Sequence, residues 1–284
     1  MATLSNSLQD HIFKHVQASL EEDIGSGDIT AKLIPTDNTL TALVISREPA
    51  VLCGRAWADE VFAQLDPSVS LEWLADDGDE LTPNEPFLKL SGNARSILTG
   101  ERTALNYIQM LSYTATISRR YANMVQDASL TILDTRKTIP SLRLAQKYAI
   151  KVGGASNHRI GLYDAFLIKE NHIMAAGSIS AAVTQAQSIA PGKTIEVETE
   201  NLVEVEEAVN AGADIIMLDN FSLEDMRFAV NKYQGKVKFE ASGNMTDAHI
   251  KDVASTGVDF ISVGALTKHV QAIDLSLRVV KEDI

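Results

Sequence analysis

Polar residues follow a series of short apolar runs in the second half of the chain. They are Asp134, Arg136 and Lys137 after the first run, then Lys169, Glu198, Asp219, the triplet Ser242, Gly243 and Asn244, and finally Gly264. In parallel α/β folds the carboxyl ends of the strands converge at one face of the sheet. We therefore expect these residues to line a single pocket.

Four cations in or near these strand ends divide by the anion that each one suits. Arg136 and Arg159 carry planar guanidinium groups, which bind a carboxylate through two hydrogen bonds. Lys137 and Lys169 carry compact charges that suit the oxygens of a phosphate or a carboxylate. Together the four cations predict a ligand with several negative charges.

The two acids at the strand ends need a different partner. Glu198 and Asp219 repel anions unless a divalent cation or sugar hydroxyls lie between. Residues 242–244 and Gly264 offer backbone N–H groups at the start of following helices, which is typical of a phosphate cradle. With the cations, these groups predict a sugar phosphate that carries a metal-bound pyrophosphate, together with an acidic co-substrate.

The charge of the chain is unevenly distributed. Its formal net charge is −13, which argues against general binding to nucleic acid, because that binding depends on neutralising phosphates. Residues 134–169 nevertheless contain seven cations and two acids, a local charge of +5 against −18 for the remainder. This excess predicts a local site for a small anion. For Arg143, Lys147 and Lys151, which are spaced four apart, a solvated helix face explains the charges equally well.

The second half of the chain alternates strand-like runs with helical stretches. The predicted strands are Leu130–Asp134, Ala165–Lys169, Thr194–Glu198, Asp214–Asp219, Val237–Ala241 and Phe260–Gly264. The helical stretches between them include Leu202–Asn210, Leu223–Lys232 and Asp247–Ser255. Apolar strands that alternate with helices predict a parallel sheet with right-handed crossovers.

Six strand–helix units are fewer than the eight of a complete α/β barrel. We therefore expect an α/β fold with an incomplete or distorted barrel. The alternative is an open doubly wound sheet, in which a glycine fingerprint follows the first strand. Here the sequence after the first strand is DTRKT, residues 134–138.

The first part of the chain predicts a smaller mixed domain. Strand-like runs begin at Thr41, Val69 and Phe87 and are separated by turn-rich segments. A long helical region, as one helix or two, begins near Ala94 and continues past Ser112. The final run Leu275–Val280 alternates again and is expected to return to this first sheet. We predict an N-terminal α+β domain of residues 1–112 joined by residues 270–284, and a catalytic domain of residues 113–269.

Arg102 lies within the apolar stripe of the long helical region. The stripe consists of Ile97, Leu98, Ala104, Leu105, Ile108 and Leu111. Since an arginine is rarely buried without a partner, Arg102 is expected to meet an anion. An internal salt bridge to a carboxylate is the simpler alternative.

The remaining composition excludes other classes of protein. Cys53 is the only cysteine, so no internal disulfide framework can form. No apolar run approaches the roughly 20 residues of a membrane helix, and the first residues lack the pattern of a secretory signal. We therefore expect a cytoplasmic protein.

Seven short motifs occur in a fixed order over nearly the whole chain. They are GERTALN (100–106), DTRKT (134–138), GGASNHR (153–159), LIKENH (167–172), EVETEN (196–201), MLDNF (217–221) and EASGN (240–244). This series resembles that of the quinolinate phosphoribosyltransferases. In the motif GGASNHR a third glycine or a similar small residue is expected at position 155, where this chain has Ala155.

The resemblance implies an incomplete α/β barrel of six or seven strands with a smaller N-terminal α+β sandwich domain. It implies a homodimer, or a larger assembly of dimers, in which each active site faces the N-terminal domain of the partner. The implied reaction joins quinolinate and phosphoribosyl pyrophosphate to give nicotinate mononucleotide, pyrophosphate and CO₂. The implied cofactor is Mg²⁺.

The resemblance also implies a role for each residue of the site. The set that holds the two quinolinate carboxylates is Arg136, His158, Arg159 and Lys169, with Arg102 reaching in from the partner subunit. The set that binds phosphoribosyl pyrophosphate is Lys137, the Mg²⁺ and ribose ligands Glu198 and Asp219, and the 5′-phosphate cradle of Ser242, Gly243, Asn244 and Gly264. The implied catalytic residues are Arg102, Lys137, Lys169, Glu198 and Asp219.

Three rival functions remain compatible with the residues alone. A relative that uses nicotinate or another acid needs fewer cations than the site provides. A barrel aldolase or isomerase can form a Schiff base through Lys169, but a sugar phosphate alone does not require the surrounding cations. A non-enzymatic anion-binding protein does not explain Glu198 and Asp219.

Overall fold

The computed structural model describes residues 5–126, 128–243 and 245–280. Its helices are α1 (Asn6–Ile24), α2 (Arg55–Leu65), α3 (Ala94–Met124), α4 (Arg143–Val152), α5 (Glu170–Ala176), α6 (Ile179–Ile189), α7 (Leu202–Ala211), α8 (Leu223–Tyr233), α9 (Asp247–Ala254) and α10 (Ala265–Lys268). Its strands are β1 (Thr39–Ser46), β2 (Ala50–Val51), β3 (Ser70–Trp73), β4 (Glu80–Leu81), β5 (Pro86–Asn93), β6 (Thr131–Leu133), β7 (Phe166–Ile168), β8 (Ile195–Thr199), β9 (Ile215–Asp219), β10 (Lys238–Ser242), β11 (Phe260–Ser262) and β12 (Leu275–Val279).

The chain divides into two compact units. The first runs up to Arg119 and also contains Leu144–Gly153 and the residues from His269 onward. The second contains Arg120–Arg143 and Gly154–Lys268. The domain boundaries predicted from the sequence, at residues 112 and 270, stay a prediction.

The first unit is built on a four-stranded antiparallel sheet in the order β12-β1-β5-β3. The expectation that the final run returns to this sheet is confirmed, since Ala42 in β1 pairs with Val279 in β12. Helix α1 buries Ile12, Val16 and Leu20, the three apolar residues whose helical spacing puts them on one face. Burial of such a face stabilises a helix more than its intrinsic propensity does.

The long helical region is one continuous helix, α3, rather than two. Its buried residues include Ile97, Ala104, Leu105 and Ile108, which recur at the spacing of one helix face. Arg102 does not belong to that face, because it is exposed. The stripe predicted from the sequence was therefore wrong at Arg102 and at Leu98, which is also exposed.

The solvated basic face proposed for residues 143–151 was also wrong in part. Lys151 is exposed, whereas Lys147 is only 2% exposed. Helix α4 belongs mostly to the first unit, and its buried residues are Ala145, Gln146, Lys147, Ala149 and Ile150. A spacing of four places lysines on one helix face, but it does not say whether that face meets water or protein.

The second unit contains a six-stranded parallel sheet in the order β6-β11-β10-β9-β8-β7. Consecutive strands from β7 to β11 are neighbours, and the first strand, β6, lies beside the last. This order is that of a barrel, and β6 and β7 do not pair within the described residues, so the barrel is incomplete. The predicted fold class is confirmed, and the doubly wound alternative is wrong because its strand order reverses at a switch point.

Each strand of this sheet forms close to where its apolar run predicts. In β8, Ile195, Val197 and Thr199 lie on one face and Glu196 and Glu198 on the other, since successive side chains in a strand point to opposite faces. Both faces meet protein, because Glu196 is buried as well and Glu198 is half-buried. None of the described helices is both long and apolar enough to cross a membrane.

Gly153 allows a close approach between the end of α4 and helix α3. A Cβ atom at this position would overlap the carbonyl oxygen of Ala115 and would lie 2.5 Å from Cβ of Ser118. The next two residues are Gly154, whose φ is +95°, and Ala155, which is buried. Glycine is therefore required at position 153 because a side chain does not fit there, and it is favoured at position 154 because the backbone has a positive φ.

We expect Gly153→Ala to lower the free energy of unfolding by about 1–3 kcal/mol, because the added methyl group must displace the neighbouring backbone. Urea denaturation measures this difference. Lys151→Ala, at an exposed position, is the matched control and should stay within about 0.5 kcal/mol of the wild type. A Gly153→Ala protein as stable as the wild type would contradict the close approach.

Candidate active site

The carboxyl ends of the parallel strands place most of the predicted site residues along one edge of the sheet. The register pairs Ser242 in β10 with Asp219 in β9, and Glu198 in β8 with Met217 in β9. Strands β8 to β10 therefore deliver Glu198, Asp219 and Ser242 to neighbouring positions. The polar residues that follow the strands therefore form one edge, here named the rim, because the carboxyl ends of parallel strands lie on the same side.

Asp134, at the end of β6, is fully buried and organises the loop that follows α4. Its Oδ1 accepts the backbone N–H of His158 at 2.8 Å, and its Oδ2 accepts the side-chain amide of Asn157 at 2.9 Å. Buried carboxylates are retained where they are hydrogen-bonded. Asp134 therefore anchors the loop rather than facing a ligand.

Arg136 and Arg159 lie close enough to repel one another. Burial lowers the pKa of Arg159, and the neighbouring charge of Arg136 lowers it further, whereas the charges of Glu196 and Asp164 act in the opposite direction. The Nε of Arg136 is buried and has no hydrogen-bond partner among the described residues. Two neighbouring guanidinium groups are suited to carboxylates, which they bind through paired hydrogen bonds.

His158 points into the barrel towards two buried acids. Its Nε2 lies 2.9 Å from Oε2 of Glu196 and 3.4 Å from Oε2 of Glu240. Burial by itself would lower the pKa of His158, whereas its contacts with Glu196 and Glu240 and their charges raise it. Because Nδ1 accepts the backbone N–H of Arg159 at 2.7 Å, the proton that the two acids stabilise is the one on Nε2. Burial raises the pKa of Glu196 to about 7, with Glu240 acting in the same direction and His158 opposing it.

Lys169 and Glu198 form an ion pair. Lys169 is also the N-cap of α5, where its backbone N–H donates to Nδ1 of His172 at 3.0 Å. This contact explains the histidine of the LIKENH motif as a capping residue. A cation predicted for quinolinate and an acid predicted for the ribose are therefore paired with each other.

The edge formed by β9 and β10 is shaped by two residues with positive φ. Asn220 has φ +56° and Gly243 has φ +97°, and a Cβ atom at Gly243 would overlap the side chain of Asn220. Asn220 also donates from its side-chain amide to Asp219 at 3.0 Å. Only glycine fits at position 243, because both the backbone and the space exclude a side chain.

The structure describes part of the predicted phosphate cradle. Gly264 directly precedes α10, and a Cβ atom there would lie 3.4 Å from Cδ of Lys137, so Lys137 and Gly264 are neighbours. The expectation that residues 242–244 begin a helix was wrong, since α9 begins at Asp247. Asn244 lies outside the described residues.

Comparison with known proteins identifies the family to which this arrangement belongs. Residues 28–112 match the model of the quinolinate phosphoribosyl transferase N-terminal domain, and residues 114–278 match that of the C-terminal domain. The chain belongs to the quinolinate phosphoribosyl transferase family. The assignment made from the seven motifs is confirmed, and the chain is accordingly an enzyme of the decarboxylating phosphoribosyltransferase class.

The relatives match this chain over most of their length. The structure of the nicotinate-nucleotide pyrophosphorylase from Francisella tularensis is 52% identical, covers 96% of this chain and 97% of that one, and has a TM-score of 0.94. A probable carboxylating nicotinate-nucleotide pyrophosphorylase from Synechocystis is 43% identical, over 94% of this chain and 92% of the relative. A decarboxylating quinolinate phosphoribosyltransferase from Nicotiana tabacum is 39% identical, over 93% and 81%.

Sequence reasoning gave no role to two acids that the structure places beside His158. Glu196 lies two residues before Glu198, and Glu240 lies two residues before Ser242. Residues two apart in a strand share a face, so both acids point to the same side as the rim residues. The signal was an acid inside an apolar strand, in TIEVE and in VKFEA, where charges are rare.

Proposed function

We propose that this chain transfers the phosphoribosyl group of phosphoribosyl pyrophosphate to the ring nitrogen of quinolinate. The products are nicotinate mononucleotide, pyrophosphate and CO₂, and the reaction serves the de novo biosynthesis of NAD. The observation that carries the proposal is the pair Arg136 and Arg159, which repel one another at the same sheet edge as Lys169. The names of the relatives support the same reaction.

The arginine pair suits an acid with two adjacent carboxylates. Binding of such a dianion replaces repulsion between Arg136 and Arg159 by hydrogen bonds to both. It also gives a partner to the buried Nε of Arg136, which has none within the described chain. Lys169 completes the set from the end of β7. His158 supports the set through its neighbour Arg159, because both of its ring nitrogens contact the protein.

The acids of the rim suit Mg²⁺ bound to the pyrophosphate and the hydroxyls of the ribose. Carboxylate oxygens are the protein ligands that Mg²⁺ prefers. The charges of Glu170 and Glu204 raise the pKa of Glu200, and Asp219 acts in the same direction, so negative charge is crowded at this edge. Glu198 and Asp219 would hold the cation, which supplies neutralisation of the leaving pyrophosphate when bound.

Lys169 and Glu198 exchange partners when the substrates bind. In the structure each neutralises the other. Binding of quinolinate gives Lys169 a carboxylate, and binding of phosphoribosyl pyrophosphate gives Glu198 the hydroxyls and cation of the second substrate. Neither group is then left as an uncompensated charge, which would be costly at a partly buried site.

The charges around the rim account for both chemical steps. As pyrophosphate leaves, positive charge develops on the ribose, and Glu198 or Asp219 stabilises it electrostatically. The pyridine nitrogen attacks the ribose carbon from which pyrophosphate leaves, and the ring becomes positively charged. The ring then accepts the electron pair of the bond between the adjacent ring carbon and its carboxylate when CO₂ leaves. That carbon then takes a proton. Lys169 and the two arginines stabilise the negative charge that develops there.

The phosphates of the second substrate are bound by Lys137, Ser242, Gly243 and Gly264. Lys137 lies against Gly264, so a cation and a backbone segment without a side chain are neighbours. The rival Schiff-base chemistry finds no support here, because Lys169 contacts Glu198 rather than an apolar pocket. We place the enzyme in the cytoplasm, where a chain with one buried cysteine needs no disulfide.

The active unit of this proposal is a homodimer in which Arg102 serves the site of the partner. Arg102 is exposed on α3, one turn from the exposed Leu98. Ile29 and Leu33 are also exposed. Their segment is held to α3, because the side chain of Thr99 donates a hydrogen bond of 2.8 Å to Asp28. An exposed apolar patch beside a cation supports an interface with a second copy that carries anionic substrate.

The first prediction concerns the reaction itself. Quinolinate, phosphoribosyl pyrophosphate and Mg²⁺ together should give equal amounts of CO₂ and nicotinate mononucleotide, and omission of Mg²⁺ should abolish turnover. Nicotinate should show a kcat/KM at least about 100-fold lower, because the missing carboxylate leaves a cation unpaired. Comparable kcat/KM values for the two acids would overturn the dicarboxylate assignment.

The second prediction concerns the arginine pair. Arg136→Lys and Arg159→Lys keep the charge but lose the planar fork. Each should raise the KM for quinolinate about tenfold, the equivalent of one charge-assisted hydrogen bond of about 1.5 kcal/mol. Arg227→Lys, on the exposed side of α8, is the control and should leave this KM unchanged. Normal quinolinate kinetics in both variants would remove the two arginines from carboxylate recognition.

The third prediction concerns Arg102 and is tested by mixing inactive variants. Arg102→Ala and Lys169→Ala should each be nearly inactive as homodimers. After co-refolding, half of the dimers are mixed and each holds one intact site, so about a quarter of all sites should recover activity. If Arg102 serves its own chain, every site lacks one residue. Absence of recovery despite verified subunit exchange would therefore exclude a shared site.

A further inference from the structure

The gap between β6 and β7 is filled by residues 154–165, here named the seam segment. Ser156 forms a parallel bridge with Leu133 of β6, and its backbone N–H donates to the carbonyl of Ile132 at 2.9 Å. Within the seam segment, Nη1 of Arg159 donates to the carbonyl of Ala165, the residue before β7, at 3.2 Å. The seam segment thus lies along the β6 edge of the open barrel and continues directly into β7.

His158 connects the seam segment to strands β8 and β10. Its side chain is 12% exposed, while those of Glu196 and Glu240 are 4% and 0% exposed. Both acids approach the same ring nitrogen, Nε2, at 2.9 and 3.4 Å. The contact therefore crosses the interior of the barrel, from the open edge to strands on either side of β9.

This arrangement leaves buried carboxylate oxygens without donors. Within the described ranges, Oε1 of Glu196 and Oε1 of Glu240 have no hydrogen-bond partner, and Oε2 of Glu240 has only the long contact of 3.4 Å with Nε2 of His158. Removing charges from water in this way is costly, and well-packed neutral groups of similar size often give a more stable protein. A buried cluster of this kind is a poor device for stability and needs another reason.

A metal ion is the first alternative, because the ligand atoms of His158, Glu196 and Glu240 lie within 4.8 Å of one another. The tautomer of His158 argues against it. The backbone N–H of Arg159 donates to Nδ1 at 2.7 Å, which places the lone pair on Nδ1 and the ring proton on Nε2. A metal bound at Nε2 requires the opposite tautomer. The cluster therefore holds a proton between the ring and the two acids.

The same hydrogen bond joins the cluster to the arginine pair. Nδ1 of His158 holds the main chain of Arg159, and Glu196 is one of the charges that act on the guanidinium of Arg159. On the other side of the ring, Asp134 holds the backbone N–H of His158 at 2.8 Å. Any rotation of the His158 ring would release Arg159 from its position beside Arg136.

We propose that Glu196 and Glu240 are positioning residues, which hold His158 across the barrel and thereby fix the seam segment so that Arg159 lies beside Arg136. The role in recognition of two carboxylates rests on the proposed function. Glu196 and Glu240 do not touch the substrate. They act through His158, whose two ring nitrogens are engaged by the protein.

Glu240→Gln tests this proposal, because it keeps the shape of the side chain and removes its charge. The thermal midpoint should stay the same or rise, since one of two buried acids that face a single ring nitrogen is replaced by a neutral side chain. The KM for quinolinate should rise about tenfold or more, as for other residues that orient a ligand-binding side chain. The KM for phosphoribosyl pyrophosphate should stay within about twofold of the wild type.

Two further variants complete the set. Glu240→Asp, which keeps the charge on a shorter side chain, should lie between Glu240→Gln and the wild type in its quinolinate KM. Glu206→Gln is the matched control, because Glu206 is exposed and pairs with Lys232 on the outside of the barrel. It should leave both KM values and the thermal midpoint unchanged.

Hydrogen exchange provides a readout that does not depend on the reaction. Amides of the seam segment should exchange faster in Glu240→Gln than in the wild type, while those of β1 and β5 should not change. This difference tests the positioning role even if the wild type fails to use quinolinate, an outcome that would overturn only the proposed function.

Three outcomes would overturn the positioning role. The first is an unchanged quinolinate KM together with unchanged exchange in the seam segment. The second is a parallel rise of both KM values with a lower thermal midpoint, which would make the acids purely structural. The third is a stoichiometric metal ion in the purified protein that is lost in Glu240→Gln, measured by elemental analysis, which would make the cluster a metal site.

Discussion

The parallel pairing of β6 with β11 is the constraint on which the rest of the site depends. It sets the first strand of the second unit beside the last, as Ile132 pairs with Ile261, and so bends six strands into a barrel. All carboxyl ends then lie on one edge, and residues from distant parts of the sequence share one rim. Without this pairing, the loop after β6, which carries Arg136 and Lys137, would not lie beside Gly264.

The barrel remains open between β6 and β7, and this opening is part of the site. A complete ladder of backbone hydrogen bonds would leave no room for the seam segment, which carries His158 and Arg159. The seam segment is instead held by side chains, with Asp134 on one side and Glu196 and Glu240 across the interior. Side-chain contacts of this kind permit an orientation that strand pairing would forbid, at the cost of buried charge.

Like charges held close together give the site its chemical character. Arg136 lowers the pKa of Arg159, and negative charge is crowded around Glu200. A protein that maintains such repulsion has already met part of the cost of arranging its donors and acceptors. In the proposed reaction the substrates would complete the charge balance, since a dianionic acid suits the arginines and a cation-bearing pyrophosphate suits the acids.

The sequence by itself determined the strands, their order in the chain and the family, because each apolar run ends in a polar residue and the motifs recur in a fixed order. It did not determine which side of a helix meets water, so Arg102 was placed in a buried stripe and Lys147 on a solvated face. It also gave no role to Glu196 and Glu240. Only the tertiary structure decided these points, since burial and charge pairing depend on neighbours that are distant in sequence, and a local pattern of residues contains no information about them.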